Sequence, residues 1–209
     1  MSLPRLHVVA ADDVLAADGF IPLAMALLEA GARDLALHLR GHGTPAALLY
    51  DRAAALSRVA ARSGSTLFVN DRVDVALALD RVGVVLGKRS LPVSVVRRLA
   101  GNRCIGYSAH EAAEAKAAVD EGADFVLLGT IYATASHPAR PGAGPDLVRA
   151  TAATTNAPVI AIGGITPERV AEVVAARAHG VAVLGGVFRS GDPRSAVLNY
   201  LDVLGGRTS

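Results

Sequence analysis

The chain has 209 residues, of which 52% are hydrophobic, with a formal net charge of +2 and a single cysteine. One cysteine excludes an internal disulfide, and aromatic residues at 4% with no alternation of basic and aromatic side chains argue against nucleic-acid binding. No apolar run approaches the ~18 residues needed to cross a bilayer, and the N-terminus MSLPRLHVV lacks a signal-peptide core. The expectation is a cytoplasmic protein of one domain over residues 1–209, with no nucleic-acid or membrane partner, of a composition compatible with a homodimer.

Short β-type runs alternate with helical patterns along the whole chain. Residues 6–10 precede an apolar helix at 21–30, and residues 35–39 precede an amphipathic helix at 45–63. Residues 66–70 lead into a helix at 71–79, residues 83–87 into 92–100, and residues 104–108 into 109–122. Residues 124–132 pass through the polar loop GTIYATASHPARPGAGPD (129–146) to a helix at 146–154. Residues 158–165 lead into 166–178, and residues 180–188 into 192–204. Continuously apolar strands alternating with helices form a parallel sheet covered on both faces. Eight such units in ~200 residues predict a closed (β/α)8 TIM barrel, with an open doubly wound sheet as the rival. Thr166-Pro167 and Asp192-Pro193 read as helix starts, and Gly101, Gly122 and Gly205 as helix stops. Cys104 reads as a buried thiol, and His7 and His179 as structural.

In such barrels chemistry sits on the loops after the strands. That rule selects His38, Arg40 and His42 after the second strand, Asn70 and Asp71 after the third, and Lys88, Arg89 and Ser90 after the fourth. It adds Ser108 and His110 after the fifth, His110 reading as a helix start. Thr130, Thr134, Ser136 and His137 occupy the loop after the sixth. Gly163-Gly164 and Gly185-Gly186 follow the last two strands, where backbone amides of many barrels hold a phosphate and where a Cβ would obstruct close approach. Without a ligand, each pair is simply a tight turn. Arg40 suits an anion clamp or a surface ion pair. His38 shares its strand parity and points with it toward the barrel interior or mouth. Asp71 suits either Mg2+ or the cap of the next helix.

The segments FVNDRVDVALALDRVGVVLG, IGYSAH, GADFVLLGTIYAT and PVIAIGGITPERVAEV…HGVAVLGGVF resemble the thiamin phosphate synthase and thiazole tautomerase superfamily, from about residue 6 to residue 188. The resemblance implies a (β/α)8 barrel that handles a thiazole phosphate in vitamin B1 biosynthesis. The synthase joins a pyrimidine pyrophosphate to thiazole phosphate. It uses a Gln-x-Arg-x-Lys strand, an Asn-Asp pair with a second aspartate for Mg2+, and a Thr-x-Thr-Lys loop. The chain reads His38-x-Arg40-x-His42, has Ser90 where the second aspartate is expected, and reads Thr134-x-Ser136-His137 in the loop. The tautomerase needs no metal and typically has a histidine directly after the glycine ending the sixth strand, where Thr130 stands here. With the pyrophosphate end depleted, the expected activity is a tautomerase-like isomerase acting on carboxythiazole phosphate. His137, then His38, are its acid/base candidates. Arg40, Asn70, Ser108, Thr130, Thr134, Ser136 and the four glycines would bind this small phosphorylated heterocycle. The alternatives are a divergent Mg2+-dependent synthase with Asp71 on the metal, and a non-catalytic regulator that binds thiazole or thiamin phosphate.

Overall fold

Strands rich in Val, Leu and Ile cannot leave either face in water, and in this chain neither face is left there. A computed structural model describes residues 3–134 and 141–205. It contains β1 (Leu6–Ala11), β2 (Leu35–Arg40), β3 (Thr66–Asn70), β4 (Val82–Leu86), β5 (Ile105–Ala109), β6 (Phe125–Leu128), β7 (Val159–Ile162) and β8 (Gly180–Val183). All neighbours pair in parallel, and β1 closes the sheet against β8. The helices are α1 (Asp12–Ala16), α2 (Phe20–Gly31), α3 (Ala46–Ser63), α4 (Val73–Leu77), α5 (Val93–Ala100), α6 (Ala112–Asp120), α7 (Pro145–Thr154), α8 (Pro167–Ala175), α9 (Gly185–Phe188) and α10 (Pro193–Leu204). The expected (β/α)8 barrel is therefore the observed fold.

Outward strand residues such as Leu6, Val8, Leu37 and Val69 pack against helix residues such as Phe20, Leu27, Leu49 and Leu56. Inward residues form a separate plug of Ala36, Phe68, Val85, Phe125, Leu127, Ile160 and Ala182. His7 and His38 lie within it, with ring centroids 5.4 Å from Phe125 and 4.9 Å from Phe68 respectively. Two glycines on neighbouring strands make room for the phenyl rings. A Cβ on Gly83 would sit 2.5 Å from the Phe68 ring, and one on Gly106 would sit 2.3 Å from Phe125. Gly106→Ala is expected to destabilise the protein by about 1–3 kcal/mol, because an overpacked barrel interior must shift rings or strands. Urea unfolding measures this, and a change within 0.5 kcal/mol, as at an ordinary surface site, would contradict the packing account.

Three strands end earlier than the apolar pattern suggests. Residues 129–132, 163–165 and 184–188 were expected to continue β6, β7 and β8. The chain leaves the sheet at Gly129, at Gly163 (φ +102°) and at Leu184, and residues 185–188 form α9. Ile131, Ile165 and Val187 stay buried beyond these points. They join the core between sheet and helices from outside the ladder, so apolar pattern alone extends the strands too far. Asp192 caps α10 as expected, accepting from the Arg194 and Ser195 amides at 3.1 Å each. Thr166 holds the cap position of α8, but its side chain makes no capping bond. Cys104 is a free thiol, and burial pushes its pKa up to about 12. Among the described residues, no helix is long and apolar enough to cross a membrane.

Candidate functional site

A cavity of about 430 Å3 opens at the C-terminal mouth of the barrel. Every strand except β4 supplies lining residues at or near its C-terminal end, so a short list of positions converges although the residues are far apart in sequence. Arg40, Asn70, Ser108, Thr130, Thr134, Gly163, Gly164, Gly185 and Gly186 all border it, as the sequence suggested. Both diglycine turns face the same space. Among the described residues, the amides of Gly163, Gly164 and Gly185 donate to no backbone carbonyl. Such amides are available to an anion.

The two turns exist for different reasons. Gly164 has φ +62°, and a Cβ there would meet the Ala133 carbonyl at 2.6 Å; one on Gly163 would meet Thr130 at the same distance. The first pair is therefore required by the close approach of the segment after β6, ligand or none. Gly185 is different, because its Cβ would find only Arg189 Cδ, at 3.7 Å. Packing does not demand glycine at that position.

Among the described residues, three arginines border the cavity, Arg40, Arg169 and Arg189, and its lining holds no Asp or Glu. Arg189 lies 3.3 Å from Asp13 outside the rim, and Arg169 stacks 4.5 Å over the Tyr132 ring while donating to the Gly164 carbonyl. Arg40 makes no ion pair with any described residue. Arg169, Arg189 and Tyr200 were not foreseen. The available signal was position: the two arginines fall within the first turns that follow the two diglycines.

His110, a position after the fifth strand that also read as a helix start, borders the cavity, and the helix itself begins at Ala112. Its Nδ1 donates to the Gly129 carbonyl, and its own amide donates to Glu114 Oε2 at 2.8 Å. Because a carbonyl only accepts, the neutral ring carries its proton on Nδ1, and Nε2 keeps a lone pair for other use. His38 requires the opposite correction. It is completely buried, bonded to His7 across 2.7 Å, and is absent from the cavity lining. Burial, then the neighbouring His7, hold its pKa well below the ordinary value. It cannot meet a ligand proton. Ser136 and His137 lie outside the described residues.

Asp71 is half-buried beside the cavity, with backbone φ +62°. It does not cap α4, whose cap position is Arg72. Its Oδ1 accepts from the Ser90 hydroxyl, and its Oδ2 lies 3.3 Å from His42 Nδ1. Among the described residues, no three His, Cys, Asp or Glu side chains gather as a metal cage. One carboxylate beside one hydroxyl nevertheless suits Mg2+, which commonly takes one or two carboxylates and draws its other oxygens from substrate phosphate and water.

A closed parallel barrel with an arginine-rimmed cavity at its C-terminal mouth is the architecture of a (β/α)8 enzyme, a class whose members frequently bind phosphate at this end. The chain belongs to the family described as thiamine monophosphate synthase, which matches residues 6–187. It is 43% identical over 179 residues to the thiamine biosynthesis bifunctional protein ThiM/ThiE of Symbiobacterium thermophilum, covering 85% of this chain and 37% of that protein. A thiamine-phosphate synthase of Chloroflexus aurantiacus is 42% identical over 149 residues, covering 71% of this chain and 69% of its own. The solved thiamine phosphate pyrophosphorylase of Pyrococcus furiosus superposes with a TM-score of 0.85 at 29% identity, covering 98% of this chain and 97% of that one.

Proposed function

We propose that this enzyme is a thiamin phosphate synthase, the name its relatives carry, and that it joins a pyrimidine diphosphate to a thiazole phosphate, as the resemblance implies. This reverses the order expected from the sequence, where the isomerase stood first, because relatives such as the one 42% identical carry the synthase name. One observation carries the reading: among the described residues, the cavity presents three arginines and two diglycine turns with no carboxylate in its lining. A site of that sign concentrates polyanionic substrates. In the reaction the thiazole nitrogen attacks the pyrimidine methylene carbon. The C–N bond forms as the C–O bond to diphosphate breaks, and the diphosphate leaves with the electron pair. Arg40, on the Asp71 side, would stabilise charge as it develops on the leaving group. The amides after β7 and β8 would hold the thiazole monophosphate in line, and Ser108 and Asn70 would orient the rings. Mg2+ held by Asp71 and Ser90 would neutralise part of the diphosphate charge.

A second reading, the carboxythiazole phosphate isomerase, is favoured by Ser90 in place of a second carboxylate and by the lone pair of His110 Nε2. With His38 buried and His137 outside the described residues, His110 is the proton-moving group this reading would use. The two readings separate in one comparison. The protein is given thiazole phosphate, pyrimidine diphosphate and Mg2+, and thiamin phosphate and diphosphate are measured; a second sample receives carboxythiazole phosphate in D2O. Stoichiometric diphosphate release supports the synthase. Solvent deuterium uptake without any condensation overturns it in favour of the isomerase. In the isomerase, His110→Gln is expected to slow exchange by about 10²–10⁴-fold while phosphate affinity holds within about twofold, since only general acid–base catalysis is removed. Unchanged exchange would clear His110 of that role.

A further inference from the structure

The barrel plug contains two histidines that touch no ligand, and their hydrogen bonds run in one direction. His7 Nε2 lies 3.0 Å from the Pro4 carbonyl, which only accepts, so His7 carries its proton on Nε2. Its Nδ1 is then a lone pair, and the 2.7 Å contact with His38 Nε2 requires that nitrogen to be the donor. His38 Nδ1 is thereby left as a buried acceptor, and it has no partner. The Asn70 side chain lies against this ring and pulls its pKa back upward against burial. Asn70 Oδ1 is likewise buried without a partner. Two buried acceptors on neighbouring side chains are thus left without a donor, an arrangement that folding disfavours. The two orientations of an amide fill the same volume, and only the reversed one supplies a donor.

We propose that the chain Pro4–His7–His38 turns the Asn70 amide so that its NH2 donates inward to His38 Nδ1 and its carbonyl oxygen faces the cavity. Position 70 is then a hydrogen-bond acceptor toward the ligand. It takes an N–H group, such as the exocyclic amine of an aminopyrimidine, and disfavours a deprotonated phosphate oxygen. His7 and His38 are positioning residues that act through Asn70. The relay explains how histidine can stand where the resemblance expects glutamine: both side chains offer one donor and one acceptor at similar reach.

The relay itself is read from the free protein, whatever reaction it runs. Imidazole ¹⁵N spectra are expected to show the proton on Nε2 and a lone pair on Nδ1 for both His7 and His38. A coupling across the hydrogen bond should join Asn70 Nδ2 to His38 Nδ1. A proton on His38 Nδ1, or no coupling, overturns the proposal. The ligand arm rests on the synthase reading. His38→Gln should bind aminopyrimidine diphosphate within about threefold of the parent, and His38→Leu about tenfold more weakly, one hydrogen bond's worth. Inorganic phosphate affinity should be unchanged in both. A leucine variant that weakens phosphate equally, or a glutamine variant that behaves as leucine does, argues against the relay. Should the leucine variant not fold, the spectra of the parent and of His38→Gln decide. A parent that does not bind the pyrimidine at all counts against the synthase reading, and the spectra still decide the relay.

Discussion

Gly185→Asp is expected to weaken binding of thiazole phosphate by about 10²–10³-fold with little loss of stability. The position borders the cavity, and the new Cβ meets only Arg189 Cδ at 3.7 Å, so the fold accepts the side chain. The bound phosphate would not. A carboxylate about 4 Å from a phosphate oxygen is repelled by roughly 4 kcal/mol at the effective dielectric of a protein surface, and Arg189 would offset part of that. Isothermal titration with thiazole phosphate and with inorganic phosphate measures the loss, and thermal unfolding checks the fold. Gly185→Ala separates charge from bulk, and is expected to bind within about threefold of the parent, since methyl contact at this distance is ordinary packing. Equal affinity of the parent and Gly185→Asp for both anions would remove the turn after β8 from the phosphate site. The corresponding variant at Gly164 would be uninformative, because a Cβ there strikes the Ala133 carbonyl at 2.6 Å and distorts the turn before any ligand arrives.

That contrast shows how much of the site could be read from the sequence. Strand period and glycine spacing placed both diglycines at the mouth, since a parallel barrel sends every strand's C-terminal residue to one end. Periodicity could not tell that Gly163-Gly164 answers to packing against residues 130–133 while Gly185 does not. The same parity argument that correctly grouped His38 with Arg40 failed on depth. Both point inward, but His38 stands two residues lower, roughly 6–7 Å along the strand, beneath the cavity floor. His110 was missed for a related reason. It read as a helix start, and its backbone amide does bond Glu114. Its ring, however, reaches the Gly129 carbonyl at the end of the neighbouring strand, a contact that no local pattern encodes. Asp71 had two sequence readings, and the structure removes the helix cap, because Arg72 holds the cap position of α4 while Asp71 turns to Ser90 and His42.

The buried histidine pair has a second consequence, for stability against acid. Burial lowers the His7 pKa from 6.5 to about 3, and His38 is shifted in the same direction. Both rings are neutral in the folded protein, whereas in the unfolded chain they accept protons below about pH 6.5. The unfolded state therefore binds more protons as pH falls, and stability falls with it. The loss begins near pH 6.5 and continues toward pH 3, at about 1.4 kcal/mol per pH unit for each histidine. Between pH 6.5 and 5 that amounts to about 2 kcal/mol from His7 alone, and more with His38. The carboxylates held low, Asp12 and Asp74, lose their contribution only below their ordinary value of 3.8, so they do not act in this window. Urea titrations at pH 7, 6 and 5 should give a steep decline for the parent. The double variant His7→Leu/His38→Leu, which removes both rings together and so leaves neither without its partner, should decline far less over the same range. Parallel profiles for the two proteins would mean that the acid sensitivity arises elsewhere. A parent whose stability is flat from pH 7 to pH 5 would mean that these rings are not held neutral in the barrel at all.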